Sequence, residues 1–149
     1  MPPIQEEVNN VRIRNMQVED VDAILLIDRK ISGIQRAVTY SFDHILGGDF
    51  PLSFVAEENG NVIGFVFASV TYVPQEVTEA CVIQTIGVDP DHRQQRVATK
   101  LIQTLQEESR SKGIKMVIVM VDQIDSQLKG FFESMGFQIG RFIEYYKTI

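Results

Sequence analysis

Apolar residues recur along this chain in two rhythms. One is the alternation of a strand; the other is the three-to-four spacing of a helix. Val11-Arg12-Ile13-Arg14 alternates and predicts a short strand. From Val18 to Ile31 the apolar positions are 18, 21, 24, 25, 27 and 31, a helical set. Glu19, Asp20 and Asp22 occupy its first turns, where acids suit the helix dipole, and Ser32-Gly33 stops it. Ser41 to Leu46 predicts a second short helix, ended by Gly47-Gly48. Leu52 to Glu57 and Val62 to Val73 predict strands joined by Glu58-Asn59-Gly60-Asn61. Asn59-Gly60 is a hairpin signal, because a type I′ turn needs two residues tolerant of positive φ. After Pro74-Gln75-Glu76, Ala80 to Val88 predicts the next strand.

The longest predicted helix spans Arg96 to Lys112, with Gly113 suited to its C′ position. Met116 to Val121 is a continuous apolar run, the pattern of a strand buried on both faces. Ser126 to Met135 predicts a helix ended by Gly136, and Phe137 to Tyr146 one or two last strands. Residues 1–10 read as a flexible tail. The sequence has no repeat, low-complexity segment or internal linker. The order of elements predicts one mixed α/β domain, residues 1–149, around a single sheet.

A chain of 149 residues suits one domain with a real core. Its net charge of -6 argues against duplex DNA or RNA as a partner, which needs a basic surface. That charge is compatible with a cationic substrate or a basic peptide, and equally with plain solubility. The single cysteine, Cys81, permits no internal disulfide and sits in a predicted strand, where it reads as a small core residue. The first residues have neither a basic nor an apolar signal-peptide segment, and the run from Met116 to Val121 is too short to cross a bilayer. These readings predict a cytoplasmic protein with no membrane partner. His44, His92 and Cys81 lack metal-ligand spacing, so no metal site is expected.

The chemistry concentrates after the strand Ala80 to Val88. That strand runs through Asp89-Pro90-Asp91-His92-Arg93-Gln94-Gln95-Arg96 into the long helix that begins near Val97. A strand–loop–helix of this kind aims unpaired N–H groups and the positive end of a helix dipole at one spot, which suits a phosphate. Arg93, Arg96 and Lys100 add positive charge there. No Gly-Lys-Ser/Thr sequence comes after it, which disfavours a P-loop nucleotide hydrolase.

On two motifs the chain resembles the GCN5-related N-acetyltransferase superfamily. Arg93-Gln94-Gln95-Arg96-Val97-Ala98 matches that family's pyrophosphate loop, Arg/Gln-x-x-Gly-x-Gly/Ala, with Arg96 in place of the middle Gly. Phe131-Phe132-Glu133-Ser134-Met135-Gly136-Phe137 matches its Phe-Tyr-Glu-x-x-Gly-Phe signature. The resemblance covers Val11 to Tyr146. It implies a mostly antiparallel central sheet with a parallel pair at the cofactor cleft, and about four flanking helices. It also implies transfer of an acetyl group from acetyl-coenzyme A to a primary amine of a small molecule, peptide or protein.

Implied contacts to the cofactor are Ile86, Gly87, Val88, Arg93, Gln94, Gln95, Arg96, Val97, Ala98, Thr99, Asp125, Lys129 and Phe132. An amide of Ile86, Gly87 or Val88 is implied as donor to the oxyanion, with Val88 the leading choice. Phe132 stands where many relatives carry a proton-donating Tyr, and Met120 where one branch carries a Glu base. Glu79 and Tyr145 are the candidate replacements as base and acid. Core or rim packing remains the plainer role for Tyr145, and helix capping for Asp125. The alternative reading is a coenzyme A-binding sensor or interaction module without turnover. The acceptor and the oligomeric state, a homodimer included, stay open.

Overall fold

The structure is a computed structural model that describes residues 10–33 and 52–149. The short helix expected over Ser41 to Leu46 lies outside the described residues, as does nearly all of the expected tail over 1–10. The chain divides into two compact units, Met1–Val119 and Met120–Ile149.

The first unit is built on a five-stranded sheet in the order β1-β2-β3-β4-β5. Its strands are β1 (Val11–Asn15), β2 (Phe54–Glu58), β3 (Asn61–Val73), β4 (Thr78–Val88) and β5 (Val117–Val119). The first four pair antiparallel, and β4 pairs β5 in parallel. This is the mostly antiparallel sheet with one parallel pair that the family resemblance implied. Asn59 and Gly60 both take positive φ, 53° and 83°, as the predicted two-residue hairpin requires.

Helix α1 (Val21–Ser32) follows a 3-10 turn at Val18–Asp20, and helix α2 (Val97–Ser111) follows β4. Gly33 and Gly113 lie just past the two helices with φ of 77° and 78°. Each adopts the left-handed conformation that ends a helix cheaply. Side chains on β3 alternate between the two faces. Phe65 and Phe67 join Ile24 and Ile27 of α1 and Val55 of β2 in one buried cluster. Gly64, on the opposite face, meets α2: a Cβ there would lie 2.8 Å from Val97 Cγ1. Val97, Leu101, Ile102 and Leu105 are all fully buried. The missing side chain at Gly64 is what lets the start of α2 press onto the sheet.

A charge network ties β1 to β2 and to the turn before α1. Arg14 donates to both carboxylate oxygens of Asp20 at 2.8 and 2.9 Å, and to Glu57 at 2.9 Å. The Gln17 N–H also donates to Asp20, at 2.7 Å. Burial alone would raise the Asp20 pKa. The Arg14 and Gln17 hydrogen bonds outweigh it and hold the carboxyl below its ordinary range. Cys81 is fully buried, and burial pushes its thiol up, as expected of an inert core residue.

The second unit contains α3 (Ser126–Ser134). Asp125 caps it, its Oδ1 accepting from the Leu128 N–H at 2.9 Å. Phe132 is buried, with the rings of Phe131 and Phe137 edge-on at 5.0 and 5.1 Å. Gly136, at φ 90°, ends the helix.

Two expectations are corrected. The run Met116 to Val121 forms only the three-residue β5, half-buried rather than covered on both faces, and Met120 is 74% exposed. Residues 137–149 form no strand, and Ile139, Ile143, Tyr145 and Tyr146 are exposed. Alternation alone does not make a strand, because its N–H and C=O groups need a partner edge.

Candidate functional site

β4 is paired with β3 from end to end except at one residue, but only partly with β5. The β5 pairing runs from Cys81↔Val117 to Ile83↔Val119 and stops. Gln84 to Val88 therefore continue with no partner strand on that side among the described residues. A bulge falls at the same place: Thr85 pairs Phe67 while Ile83 pairs Ala68, so Gln84 is the extra residue. A bulge bends its strand and re-aims the residues beyond it.

The direction of each amide comes from the register. The Asp89 N–H donates to the Ile63 carbonyl at 2.8 Å, and the β3–β4 register puts Phe65 opposite Gly87 and Gly64 opposite Val88. In an antiparallel ladder, hydrogen-bonded and non-bonded pairs alternate. Asp89 and Gly87 therefore face β3, whereas Ile86 and Val88 turn their N–H groups toward the open edge. Gly87 has a different reason to be glycine. A Cβ there would lie 2.7 Å from the Phe65 ring and 3.1 Å from Ile31 Cδ1. Of the three amides implied as oxyanion donors, two reach the open edge, and Gly87 is committed to the ladder.

β4 then turns at Asp89 into a 3-10 turn, Pro90–Gln95. Asp89 Oδ1 accepts from the Asp91 N–H at 3.0 Å, and the Asp89 carbonyl accepts from the His92 N–H at 2.8 Å. Asp89 Oδ2 accepts from Lys30 Nζ of α1 at 3.2 Å. Burial favours protonation of Asp89. The Asp91 N–H and Lys30 outweigh it and hold the carboxyl below the usual range. His92 Nδ1 is buried, has no hydrogen-bond partner among the described residues, and lies 3.8 Å from Asp89 Oδ2.

Arg96 is the N-cap of α2, at φ 57° and ψ 32°, and its side chain gives no capping hydrogen bond. A left-handed residue after a right-handed turn converges successive N–H groups into an anion-binding hollow. With no side-chain cap, the first amides of α2 at Val97, Ala98 and Thr99 add theirs. No acidic residue occupies that first turn, and Arg93 and Arg96 are exposed beside it. The positive φ explains why the family pattern has Gly at this place; Arg96 holds the same conformation at a steric cost.

Of the remaining sequence candidates, Glu79 belongs to the first unit, and Asp125, Lys129, Phe132 and Tyr145 belong to the second. Glu79 is exposed and pairs Tyr72 near the far end of the β3–β4 hairpin. Seven steps along the strand separate it from Ile86, roughly 20 Å at the usual rise per residue. That separation removes Glu79 from reach of the open-edge amides, even through one water. Tyr145 is 88% exposed in the irregular C-terminal segment. Asp125 is engaged as the α3 cap, and Lys129 donates to the Gln123 carbonyl at 3.4 Å. Among the described residues no three His, Cys, Asp or Glu side chains gather as metal ligands, and no helix is long and apolar enough to cross a membrane. Sequence reasoning missed the Lys30–Asp89 link. Its one local signal was Asp89-Pro90, a pair that favours starting a turn.

Residues 19–137 match the model of the acetyltransferase (GNAT) family. Two curated relatives are an uncharacterised N-acetyltransferase of Methanocaldococcus jannaschii and a probable N-acetyltransferase, camello, of Xenopus tropicalis. The first is 26% identical over 88% of this chain and 62% of its own length. The second is 32% identical over 59% of this chain and 39% of its own length. The chain thus spans about three-fifths or less of the relatives it matches. Among solved structures, the aminoglycoside acetyltransferase AAC(6')-Iy, in complex with a bisubstrate analogue of coenzyme A, superposes with a TM-score of 0.78. It is 23% identical and covers 93% of this chain and 98% of its own. The ribosomal-protein-S18-alanine N-acetyltransferase of Escherichia coli gives 0.72 at 21% identity, covering 85% of this chain and 76% of its own. At such identities the likeness shows the fold. With the family model matched over most of its length, the chain belongs to the acetyltransferase (GNAT) family.

Proposed function

We propose that the chain is an N-acetyltransferase that moves the acetyl group of acetyl-coenzyme A to a primary amine by direct attack. One observation carries this reading: the open β4 edge, with the Ile86 and Val88 amides turned outward, leads through the Pro90–Gln95 turn into a helix N-terminus with no side-chain cap from Arg96, flanked by Arg93 and Arg96. A ligand with amide groups in an extended arm and a diphosphate at its end matches both halves. Complexes of AAC(6')-Iy with coenzyme A and with a coenzyme A-based analogue support the same choice.

Acetyl-coenzyme A supplies a thioester carbonyl open to a neutral amine. The loop amides around residues 93–98, with Arg93 and Arg96, hold the diphosphate and fix the register of the donor along β4. The Ile86 or Val88 N–H then donates to the carbonyl oxygen as negative charge grows there. Holding the two reactants together contributes about 7–11 kcal/mol to lowering the barrier. Acid–base help is worth less, about 10²–10⁴-fold in rate. Phe132 cannot give a proton, but the thiolate of a thiol of pKa about 8.5 is a fair leaving group: it takes a proton from water as the C–S bond breaks, and the attacking amine gives one up to water as the C–N bond forms. An alkylamine of pKa about 10.4 is mostly protonated at neutral pH, so the rate should climb with pH. The proposed setting is the cytoplasm.

Phe132 in place of a Tyr and the remoteness of Glu79 favour a second reading, a coenzyme A-binding module without turnover. Incubation with acetyl-coenzyme A and a panel of aminoglycosides, polyamines, lysine peptides and free N-terminal peptides, read by thiol release, separates the two. Amine-dependent release is the expected result. Thermal stabilisation by coenzyme A with no release on any amine would establish the second reading.

A further inference from the structure

Asp89 is held from four directions. Its N–H pins it to β3 through Ile63, and its carbonyl and Oδ1 close the 3-10 turn through His92 and Asp91. Its Oδ2 receives Lys30 Nζ, which also lies 3.7 Å from Asp91 Oδ2. The first three contacts lie within the sheet and the loop. The fourth comes from α1, a helix anchored in the core by Ile24 and Ile27 at 0% and 2% exposure. Asp89 itself is only 8% exposed, so its charge needs a partner.

We propose that Lys30 is a positioning residue for the phosphate loop. From the last turn of α1 it fixes the Asp89 carboxylate, and so the angle at which β4 turns and the direction in which the amides of residues 91–98 point. Beside Lys30, His92 Nδ1 is a second side-chain nitrogen near Asp89 Oδ2 among the described residues. Closing that 3.8 Å gap moves the loop's own backbone. Arg96 must keep an unfavourable positive φ for those amides to converge. Such a conformation persists only where its surroundings over-determine it, and the Lys30–Asp89–Asp91 contacts are part of those surroundings. The proposal rests on the reading that this loop binds the diphosphate of coenzyme A.

The test compares the wild type, Lys30→Met and Lys30→Arg in the full chain. Calorimetry measures the Kd for coenzyme A, and amide resonances of residues 91–98 are recorded without ligand. Lys30→Met keeps most of the length of the exposed side chain and removes its charge. It should weaken coenzyme A binding about tenfold, as a displaced binding group does, and shift the loop resonances while melting near the wild type. Lys30→Arg should restore most of both. Equal affinity and unmoved resonances in Lys30→Met would overturn the proposal, as would a Lys30→Arg variant no better than Lys30→Met. Should Lys30→Met unfold, Asp89→Asn, which keeps the side-chain size, must show the same two changes or the proposal falls. A wild type that binds no coenzyme A refutes the functional reading; loop resonances that move in Lys30→Met and return in Lys30→Arg would still support the positioning role.

Discussion

β4 and the segment after α3 both carry residue types that favour strands, β-branched in the first and aromatic and β-branched in the second, yet only one is a strand. From Thr78 to Val88 every residue but the bulged Gln84 has a partner on β3, and Ala80, Cys81 and Ile83 are buried. From residue 137 onward there is no ladder, and Ile139, Ile143, Tyr145 and Tyr146 are largely exposed. Intrinsic preference is similar, so the difference lies in the partner edge. The five residues of β4 beyond Ile83 fall between these extremes. All of them but the bulged Gln84 are paired on one side and open on the other among the described residues, which leaves amides available to a ligand without loss of the strand.

Four changes probe this contrast. Phe65→Ala should be the most severe. It empties a fully buried ring site that packs Phe67 and α1, and a loss of about 3–5 kcal/mol in denaturant unfolding is expected. A loss under about 1 kcal/mol would mean that this part of the core is not packed as described. Gly64→Ala comes next. Its Cβ would lie 2.8 Å from Val97 Cγ1 and 3.2 Å from the Gly87 carbonyl oxygen, so about 1–3 kcal/mol of overpacking is expected. Coenzyme A binding should weaken with it, because the start of α2 must shift.

The third probe is pH. The Asp20 pKa is lower in the folded chain than in the unfolded one. Its contribution is therefore fully present above the unfolded value, near 3.8, and is lost as pH falls through the folded value. Melting temperature should drop as pH is taken below about 4, and Asp20→Asn should flatten that profile while lowering the neutral-pH plateau. An unchanged profile would contradict the Arg14–Asp20 assignment. The smallest effect is expected of Tyr145→Ser with Tyr146→Ser. Both residues are more than four-fifths exposed, so stability should stay within about 0.5 kcal/mol. A larger drop would show that this segment is packed against a partner after all.

Much of the fold was legible because it was written in short-range chemistry. Asn59-Gly60 specified its turn, Gly113 its helix end, and the 3.6-residue period of Val97, Leu101, Ile102 and Leu105 its buried face. Asp125 was legible as a cap. What failed depended on partners distant in sequence. The run at Met116 to Val121 looks like a strand covered on both faces, but only Val117–Val119 pair with β4, and all three are half-buried. Gly87 looks like a ligand contact because of its position, yet its amide direction is set by the register with β3. Glu79 looks close to the chemistry in sequence, but a strand extends about 3.3 Å per residue and carries it away. Lys30 and Asp89, 59 residues apart, could not be paired without the fold.

The central claim is that coenzyme A lies along the open edge of β4 with its diphosphate at the start of α2. Amide hydrogen exchange with and without coenzyme A tests it most directly. The account predicts slowed exchange at Ile86, Val88, Ala98 and Thr99, with Gly87 unchanged because it is already bonded to β3. Binding that leaves Ile86 and Val88 unprotected, or no binding at millimolar coenzyme A, would contradict it.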